Sequence, residues 1–304
     1  MLLIPSLALL TIGLIGSPFL LGVINRTKAI SAGRKGKPLL QVYFDLIKLL
    51  RKDVVYSRTT TWIFRAGPII SLAGLVTGML LMPHGGSPAI LAFSGDFVLL
   101  FYLLGIGRFF IILAALDVGS SFEGMGASRE ALYSALTEPI LFAVLVTLVR
   151  MTGELSLSAM IIKMSPDFWA GSAAALILLI VILFILLLTE NSRIPIDDPN
   201  THLELTMIHE VMVLDHSGPD FGLILYGSAL KMWIFSALLT GLVIPLRSGI
   251  FWIDLPAFLA GMFLIAIGVG IVESTMARLR LLLVPRMLVG ATAIVAVCIF
   301  LTLK

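Results

Sequence analysis

The chain has 304 residues, of which 59% are hydrophobic and 13% are charged, and its formal net charge is +3. Soluble domains average about 45–50% apolar and about 25% charged residues, so this composition excludes a water-soluble globule, and it excludes a disordered chain as well. The apolar residues fall in long blocks, which is typical of a polytopic membrane protein. The single cysteine, Cys298, excludes an internal disulfide, a Cys-x-x-Cys zinc site and a cysteine-bound iron–sulfur cluster.

Eight apolar blocks are long enough to cross a bilayer as helices, since a membrane helix needs about 20 residues. We therefore predict an all-α polytopic membrane protein with a single integral domain over residues 1–304. The first block lacks a basic start and a cleavage site, so we expect a retained span and not a signal peptide. The blocks cover residues 2–24, 68–82 (extended back toward 62), 97–116, 131–151, 168–189, 222–246, 256–277 and 285–303.

Lysine and arginine are distributed unevenly along this chain. Fifteen of the 21 basic residues fall on one side of an eight-span bundle, ten of them between residues 26 and 65. The positive-inside rule makes that side cytoplasmic and puts both termini on the outer side. The predicted cytoplasmic segments are residues 26–65, 117–130, 190–221 and 278–286.

Residues 38–52 predict an amphipathic helix that lies along the cytoplasmic membrane surface. Apolar side chains recur there at helical spacing, whereas Asp45, Lys48, Arg51 and Lys52 lie off that stripe. Two interpretations remain open, because periodicity does not separate them: a lipid-facing anchor, or one wall of a cavity at the membrane surface.

Four charged residues fall inside the predicted spans: Arg108, Glu138, Lys231 and Glu273. With a rise of 1.5 Å per residue they lie about 6–13 Å deep, all in the cytoplasmic half. A charge at such depth costs from a few to more than about ten kcal/mol, which favours a functional role. The pattern suits a half-channel that admits protons from the cytoplasm and then turns sideways. The alternative is a set of buried ion pairs that fix helix packing, and Arg108 and Glu138 have matching depths.

We interpret three further charges at span ends as interfacial: Asp117, Arg150 and Glu190.

Two cytoplasmic turnarounds carry most of the remaining polar sequence. For residues 117–130 we predict a flexible turn, with Ser128 capping the fourth span; the fragment Gly124-Met125-Gly126 has no βαβ context and is a very weak nucleotide signal. Residues 190–221 are acidic and hold three of the four histidines. We predict there a partly buried helix that Pro199 opens and Ser217-Gly218-Pro219 closes, as a docking face or a proton entry.

Redox centres and metals are not expected on this chain. The long loop has no HExxH spacing, so we predict no metal site. No histidine lies in a span, so a haem pair is excluded, and any electron carriers belong to partner subunits.

Several stretches together resemble the quinone-site subunit of respiratory complex I, and more closely its relatives in membrane-bound energy-converting nickel–iron hydrogenases and formate hydrogenlyases. The resemblance covers essentially the whole chain. It is carried by Gly33-Arg34-Lys35-Gly36-Lys37-Pro38-Leu39-Leu40-Gln41, Asp45-Leu46-Ile47-Lys48-Leu49-Leu50, Gly126-Ala127-Ser128-Arg129-Glu130-Ala131, Arg193-Ile194-Pro195-Ile196-Asp197-Asp198-Pro199, the run 201–218 and Met276-Ala277-Arg278-Leu279-Arg280.

The resemblance implies a subunit of a multisubunit oxidoreductase in a prokaryotic cell membrane, with no catalytic residue, metal or cofactor of its own. Iron–sulfur clusters and a nickel–iron centre would lie on partners: a hydrogenase-like large subunit, an iron–sulfur small subunit and a ferredoxin-like subunit, beside antiporter-like membrane subunits and no nucleic acid. The implied proton path comprises Glu130, Glu138, Glu204, Glu210 and Glu273, to which the buried-charge argument adds Arg108 and Lys231. The implied docking residues are Arg34, Gln41, Asp45, Arg129, Arg193, Asp197 and Asp198.

Two alternatives accompany this interpretation. One is a quinone-binding subunit of an NADH dehydrogenase-type complex. Against it, this loop has Asn200-Thr201-His202 and Met207-Ile208-His209 where the complex I loop is richer in glutamate. The other is a stand-alone cation transporter, which the absence of an internal repeat and of paired broken spans disfavours.

Overall fold

A computed structural model describes residues 3–197, 207–245 and 248–302. Within these residues the chain forms ten α-helices and a short 3₁₀ helix, and no β-strand. Eight of the helices are long and apolar enough to span a bilayer, so the prediction of an eight-span, all-helical membrane protein is confirmed. In chain order the helices are α1 (Leu3–Ser31), α2 (Gln41–Leu50), α3 (Trp62–Leu81), α4 (Asp96–Asp117), α5 (Ser121–Thr152), α6 (Leu157–Ile162), α7 (Pro166–Glu190), the 3₁₀ helix Glu210–Val213, α8 (Gly218–Val243), α9 (Phe251–Thr275) and α10 (Leu283–Leu301).

Helix α8 lies at the centre of the bundle. It packs against α1, α2, α3, α7 and α9, and it is the most buried of the eight spans. Long helices are favoured here because a bilayer offers no partner for a free backbone group. We call the end that carries the α1–α3 connection, the α4–α5 turn and the long α7–α8 loop the basic end, after its predicted charge.

Helix α2 lies at the basic end and is amphipathic, as predicted. Val42 and Leu46 are buried, and the helix contacts α1 and α8. Phe44, Ile47 and Leu50 on its other side are exposed. One face of α2 therefore closes part of the bundle, and the other faces outward.

The connection between α1 and α2 depends on a close approach at Gly22. A Cβ atom at this position would clash with the carbonyl oxygen of Leu39. Glycine is required there because any larger residue would push the start of the α2 segment away from α1. Residues 31–40 between the two helices are exposed throughout.

Two sequence predictions about the loops are wrong. The flexible turn is short: Gly119, at φ 74°, separates α4 from α5, and α5 already begins at Ser121. Ser128 therefore lies inside α5, where its hydroxyl donates to the Met125 carbonyl instead of capping a helix. Packing explains the longer helix, since a Cβ at Gly126 would come within 2.9 Å of the Ile208 carbonyl oxygen of the long loop.

The second wrong prediction concerns the end of the long loop. Ser217-Gly218-Pro219 begins α8 and does not close a preceding helix, and Pro219 occupies the first turn, where a missing N–H costs nothing. The predicted helix start at Pro199 lies outside the described residues.

Candidate functional site

A network of five charged side chains lies inside the basic half of the bundle. Its hub is Arg108 on α4, whose side chain is only 7% exposed. The guanidinium reaches Glu138 (Nη1 to Oε1, 3.1 Å), Glu130 (Nε to Oε1, 3.5 Å) and Glu190, to which Nη2 donates a hydrogen bond. Lys231 on α8 completes the network, with its Nζ 2.9 Å from Glu190 Oε2. We call these five residues the central network.

The central network joins four helices and includes a contact between Arg108 and Glu138, whose matching depths allow a pair. Glu138 itself is different from the other members because 37% of its side chain is exposed. Its contact with Arg108 is therefore at the edge of the network, not in its interior.

The sequence-based interpretation of Glu190 as interfacial is wrong. Glu190 is the last residue of α7, but its side chain is only 2% exposed and it contacts both cations of the network. The sequence did contain a signal. A helix C-terminus carries a partial negative charge and disfavours a carboxylate, so a glutamate at that position indicates that cations lie nearby.

The central network carries an excess of negative charge. With all five groups ionised, Arg108 and Lys231 oppose three carboxylates, which leaves a net charge of −1. Burying an uncompensated charge is costly, and binding one proton would remove the imbalance. The arrangement is therefore chemically suited to take up and release a proton.

Glu273 belongs to a second, separate network. Its side chain is fully buried on α9, with Lys28 Nζ of α1 2.8 Å from Oε2 and Arg193 Nη1 3.4 Å from Oε1. Sequence reasoning groups Glu273 with the other charges within spans, and it counts Lys28 only as part of the basic segment. Within the described residues, no ion pair joins this group to Arg108 or Lys231.

Asp197, predicted to dock partners, is buried in this chain and holds the long loop together. Its carboxylate accepts hydrogen bonds from the backbone N–H groups of Ile208 (3.0 Å) and His209 (3.1 Å), and it pairs with Arg278 at 2.8 Å. Arg129 acts on the same segment by donating to the Met207 carbonyl at 2.9 Å. These two side chains thus position the loop beside the central network.

The other predicted docking residues lie nearer the surface of the basic end. Arg34 is exposed, and Gln41 donates to Asp45 at 2.9 Å along α2. Asp198 and Glu204, which sequence reasoning assigns to docking and to the proton path, lie outside the described residues.

Two cavities adjoin these networks. The smaller, of about 80 Å³, is lined by four members of the central network: Arg108, Glu130, Glu190 and Lys231. The larger, of about 220 Å³, lies under α2 and is lined by Asp45, Arg193, Asp197 and Glu210 among others. Helix α2 therefore forms one wall of a cavity, which was one of its two predicted roles.

Two histidines outside the spans are held in environments that disfavour their charged form. Burial lowers the pKa of His84 and of His216 to about 4. His216 stacks on Phe64 with 4.0 Å between ring centroids. Among residues 3–197, 207–245 and 248–302, no three histidine, cysteine, aspartate or glutamate side chains are grouped to hold a metal ion.

Comparison with known sequences and structures gives consistent matches along nearly the whole chain. The model of the NADH dehydrogenase family matches residues 4–303. Formate hydrogenlyase subunit 4 of Escherichia coli K12 is 31% identical over 285 residues, 89% of each chain. Hydrogenase-4 component C of the same organism is 29% identical over 92% of this chain and 89% of its own. A subunit of the NADH-quinone oxidoreductase of Rubrobacter xylanophilus is 26% identical over 66% of this chain and 60% of its own.

A solved structure has the same fold. It is that of a membrane-bound sulfane sulfur reductase, an archaeal respiratory membrane complex, and one of its chains superposes with a TM-score of 0.84 over 99% of both chains at 19% identity.

Proposed function

Because this chain belongs to the NADH dehydrogenase family, and its relatives include formate hydrogenlyase and hydrogenase-4 components, we propose that it is the membrane subunit of a complex-I-like energy-converting hydrogenase. In this proposal it anchors a peripheral iron–sulfur and hydrogenase arm at the basic end. It also forms the entry of a proton path that couples the redox reaction to ion translocation.

One observation carries the proton-path part of the proposal: the central network gathers five charged side chains, four of them no more than 16% exposed, has one more acidic than basic group, and opens onto a cavity. Buried charges are costly, so a chain that needed only apolar packing would not be expected to keep them. The similarity to formate hydrogenlyase and hydrogenase-4 subunits supports a hydrogenase partner.

The proton-path test uses the complex purified through a tag on this chain and reconstituted in sealed vesicles. Glu130→Gln should leave assembly intact, because Arg108 keeps two other carboxylates, but it should abolish coupled proton movement. Glu154→Gln is the matched control, since Glu154 also forms an ion pair, with Lys163 at 2.7 Å, but at the opposite end of the bundle. Normal proton movement in the Glu130 variant would contradict the proposal.

The anchoring test asks what copurifies with this chain. Iron–sulfur and large subunits should accompany the wild-type chain, whereas a stand-alone transporter would purify alone. Arg34→Glu, in the exposed segment 31–40, should weaken the attachment of the peripheral arm. The same reversal at Lys163, at the far end, is the control. Equal retention of the arm in both variants would count against anchoring through this segment.

A further inference from the structure

We infer that His209 is the proton-transfer residue between the two cavities of the basic end. This inference rests on the proposed function and adds a specific step to it. It starts from the wall that the cavities share, which within the described residues consists of Asn191, His209, Ile224 and Ser228.

Of these four residues, only the histidine can bind and release a proton near neutral pH. Ile224 is apolar, and the amide of Asn191 and the hydroxyl of Ser228 form hydrogen bonds without changing charge. Acidic side chains, Asp45 and Glu210, line the larger cavity on one side of the wall, and Glu130 and Glu190 line the smaller cavity on the other. A proton that crosses this four-residue wall from one set of carboxylates to the other therefore meets a single titratable group.

The ring of His209 has free hydrogen-bonding capacity at this position. Its Nδ1 is buried and has no hydrogen-bond partner in the described part of the chain, and the same is true of the Asn191 side-chain oxygen in the same wall. Unpartnered buried polar atoms are rare and costly, which indicates that water or a transient partner completes them. Both residues border space that can hold water.

The backbone of His209 is fixed while its ring remains available. The His209 N–H donates to the Asp197 carboxylate at 3.1 Å, and Arg278 holds that carboxylate from the other side at 2.8 Å. The 3₁₀ helix begins at the next residue, Glu210. The main chain of His209 therefore holds the imidazole at the wall. Within the described residues no hydrogen bond occupies its Nδ1, which leaves this atom available for proton transfer.

Burial keeps the ring neutral at rest, because it lowers the pKa of His209. The neighbouring charges act in both directions: Glu130 and Asp197 raise this pKa, whereas Lys231 and Arg108 lower it. Asp45, Arg193 and Glu210 line the larger cavity beside it. A neutral imidazole accepts a proton at one ring nitrogen and releases the proton of the other, so a proton moves across the wall and the ring changes tautomer.

The experiment compares two substitutions of His209 with a matched control in the reconstituted complex. His209→Gln keeps a polar side chain that cannot carry a proton, and we expect a drop in coupled proton movement of at least about ten-fold with normal assembly. His216→Gln is the control: it makes the same exchange at a buried histidine that lines neither cavity, and it should leave proton movement unchanged.

His209→Glu provides a second, independent readout. It restores a titratable group, and burial raises the pKa of a carboxyl where it lowers that of an imidazole, so proton movement should partly return with a pH profile different from that of the wild-type complex. A structural role would not change that profile. An unchanged profile in the Glu variant overturns the inference, even if the Gln variant fails to assemble.

The Glu130→Gln variant separates this inference from the proposed function. If His209→Gln moves protons normally while Glu130→Gln does not, His209 is not the transfer residue but the proton path stands. If both variants move protons normally, the proposed function fails and the inference fails with it.

Discussion

Replacing Glu138 and Glu190 by glutamine should give very different results, although both carboxylates contact the same arginine. The Glu138 side chain is 37% exposed and makes one contact with Arg108, at 3.1 Å. Arg108 keeps Glu130 and Glu190 in this variant, and glutamine can still hydrogen-bond to it, so Glu138→Gln should cost about 1 kcal/mol or less, the net contribution of one hydrogen bond. The substitution is thus close to silent for stability.

Glu190→Gln should be far more damaging. Its side chain is 2% exposed and neutralises Lys231 as well as Arg108. Removing one partner from a buried ion pair costs about 3–5 kcal/mol, because the remaining charge is left without compensation. Lys231 would lose the carboxylate that lies 2.9 Å from its Nζ, whereas Arg108 would retain two others.

The assay is the half-life of the purified complex at elevated temperature, since large membrane assemblies unfold irreversibly and a rate is the meaningful quantity. Glu154→Gln breaks an ion pair whose side chains are 36% (Glu154) and 48% (Lys163) exposed, and it sets the baseline for an exposed pair. Glu138→Gln should match that baseline and Glu190→Gln should fall well below it. Equal destabilisation by Glu138→Gln and Glu190→Gln would refute this ranking. Because Glu138→Gln leaves the fold nearly unchanged, any loss of proton movement in it reports on proton transfer itself.

Three further predictions test topology, pH dependence and packing. A cysteine at Ser94, in the exposed segment before α4, should react with an impermeant thiol reagent from outside, and one at the exposed Lys35 should not; the reverse pattern would refute the predicted orientation. Burial lowers the pKa of His216 from 6.5 to about 4, so the unfolded protein binds more protons at this residue than the folded protein does. The stability of the complex should therefore fall as the pH drops from 6.5 toward 4. In a pH series of thermal half-lives His216→Gln should show a smaller loss than the wild type, and an identical loss would contradict the lowered pKa of His216. Gly22→Ala should destabilise the folded chain by about 1–3 kcal/mol through the clash with the segment before α2. Gly290→Ala, which has open space around it, should be neutral or stabilising. Equal thermal half-lives of the two variants would show that the close approach at Gly22 does not matter.

The membrane architecture of this chain can be predicted from its sequence, because that architecture follows from properties of each segment alone. A membrane span must be long, apolar and internally hydrogen-bonded whatever its neighbours are. The eight apolar blocks of the sequence were therefore enough to predict the eight spanning helices. The amphipathic pattern of α2 and the presence of Arg108, Glu138, Lys231 and Glu273 within spans are also properties of single segments. The matching depths of Arg108 and Glu138 made a pair between them possible, and the two side chains do form one.

The grouping of these charges, in contrast, is visible only in the folded bundle. Pairing depends on the rotation and separation of helices that are far apart in sequence. The depth of a residue along its own helix gives no information about either quantity. Glu190 therefore looks interfacial from its place at a helix end, yet α7 ends between two cations inside the bundle. Glu273, another charge predicted within the cytoplasmic half, faces away to Lys28 and Arg193. Likewise, α5 extends back to Ser121 because the long loop packs on it, a contact between segments about 80 residues apart that no local pattern predicts.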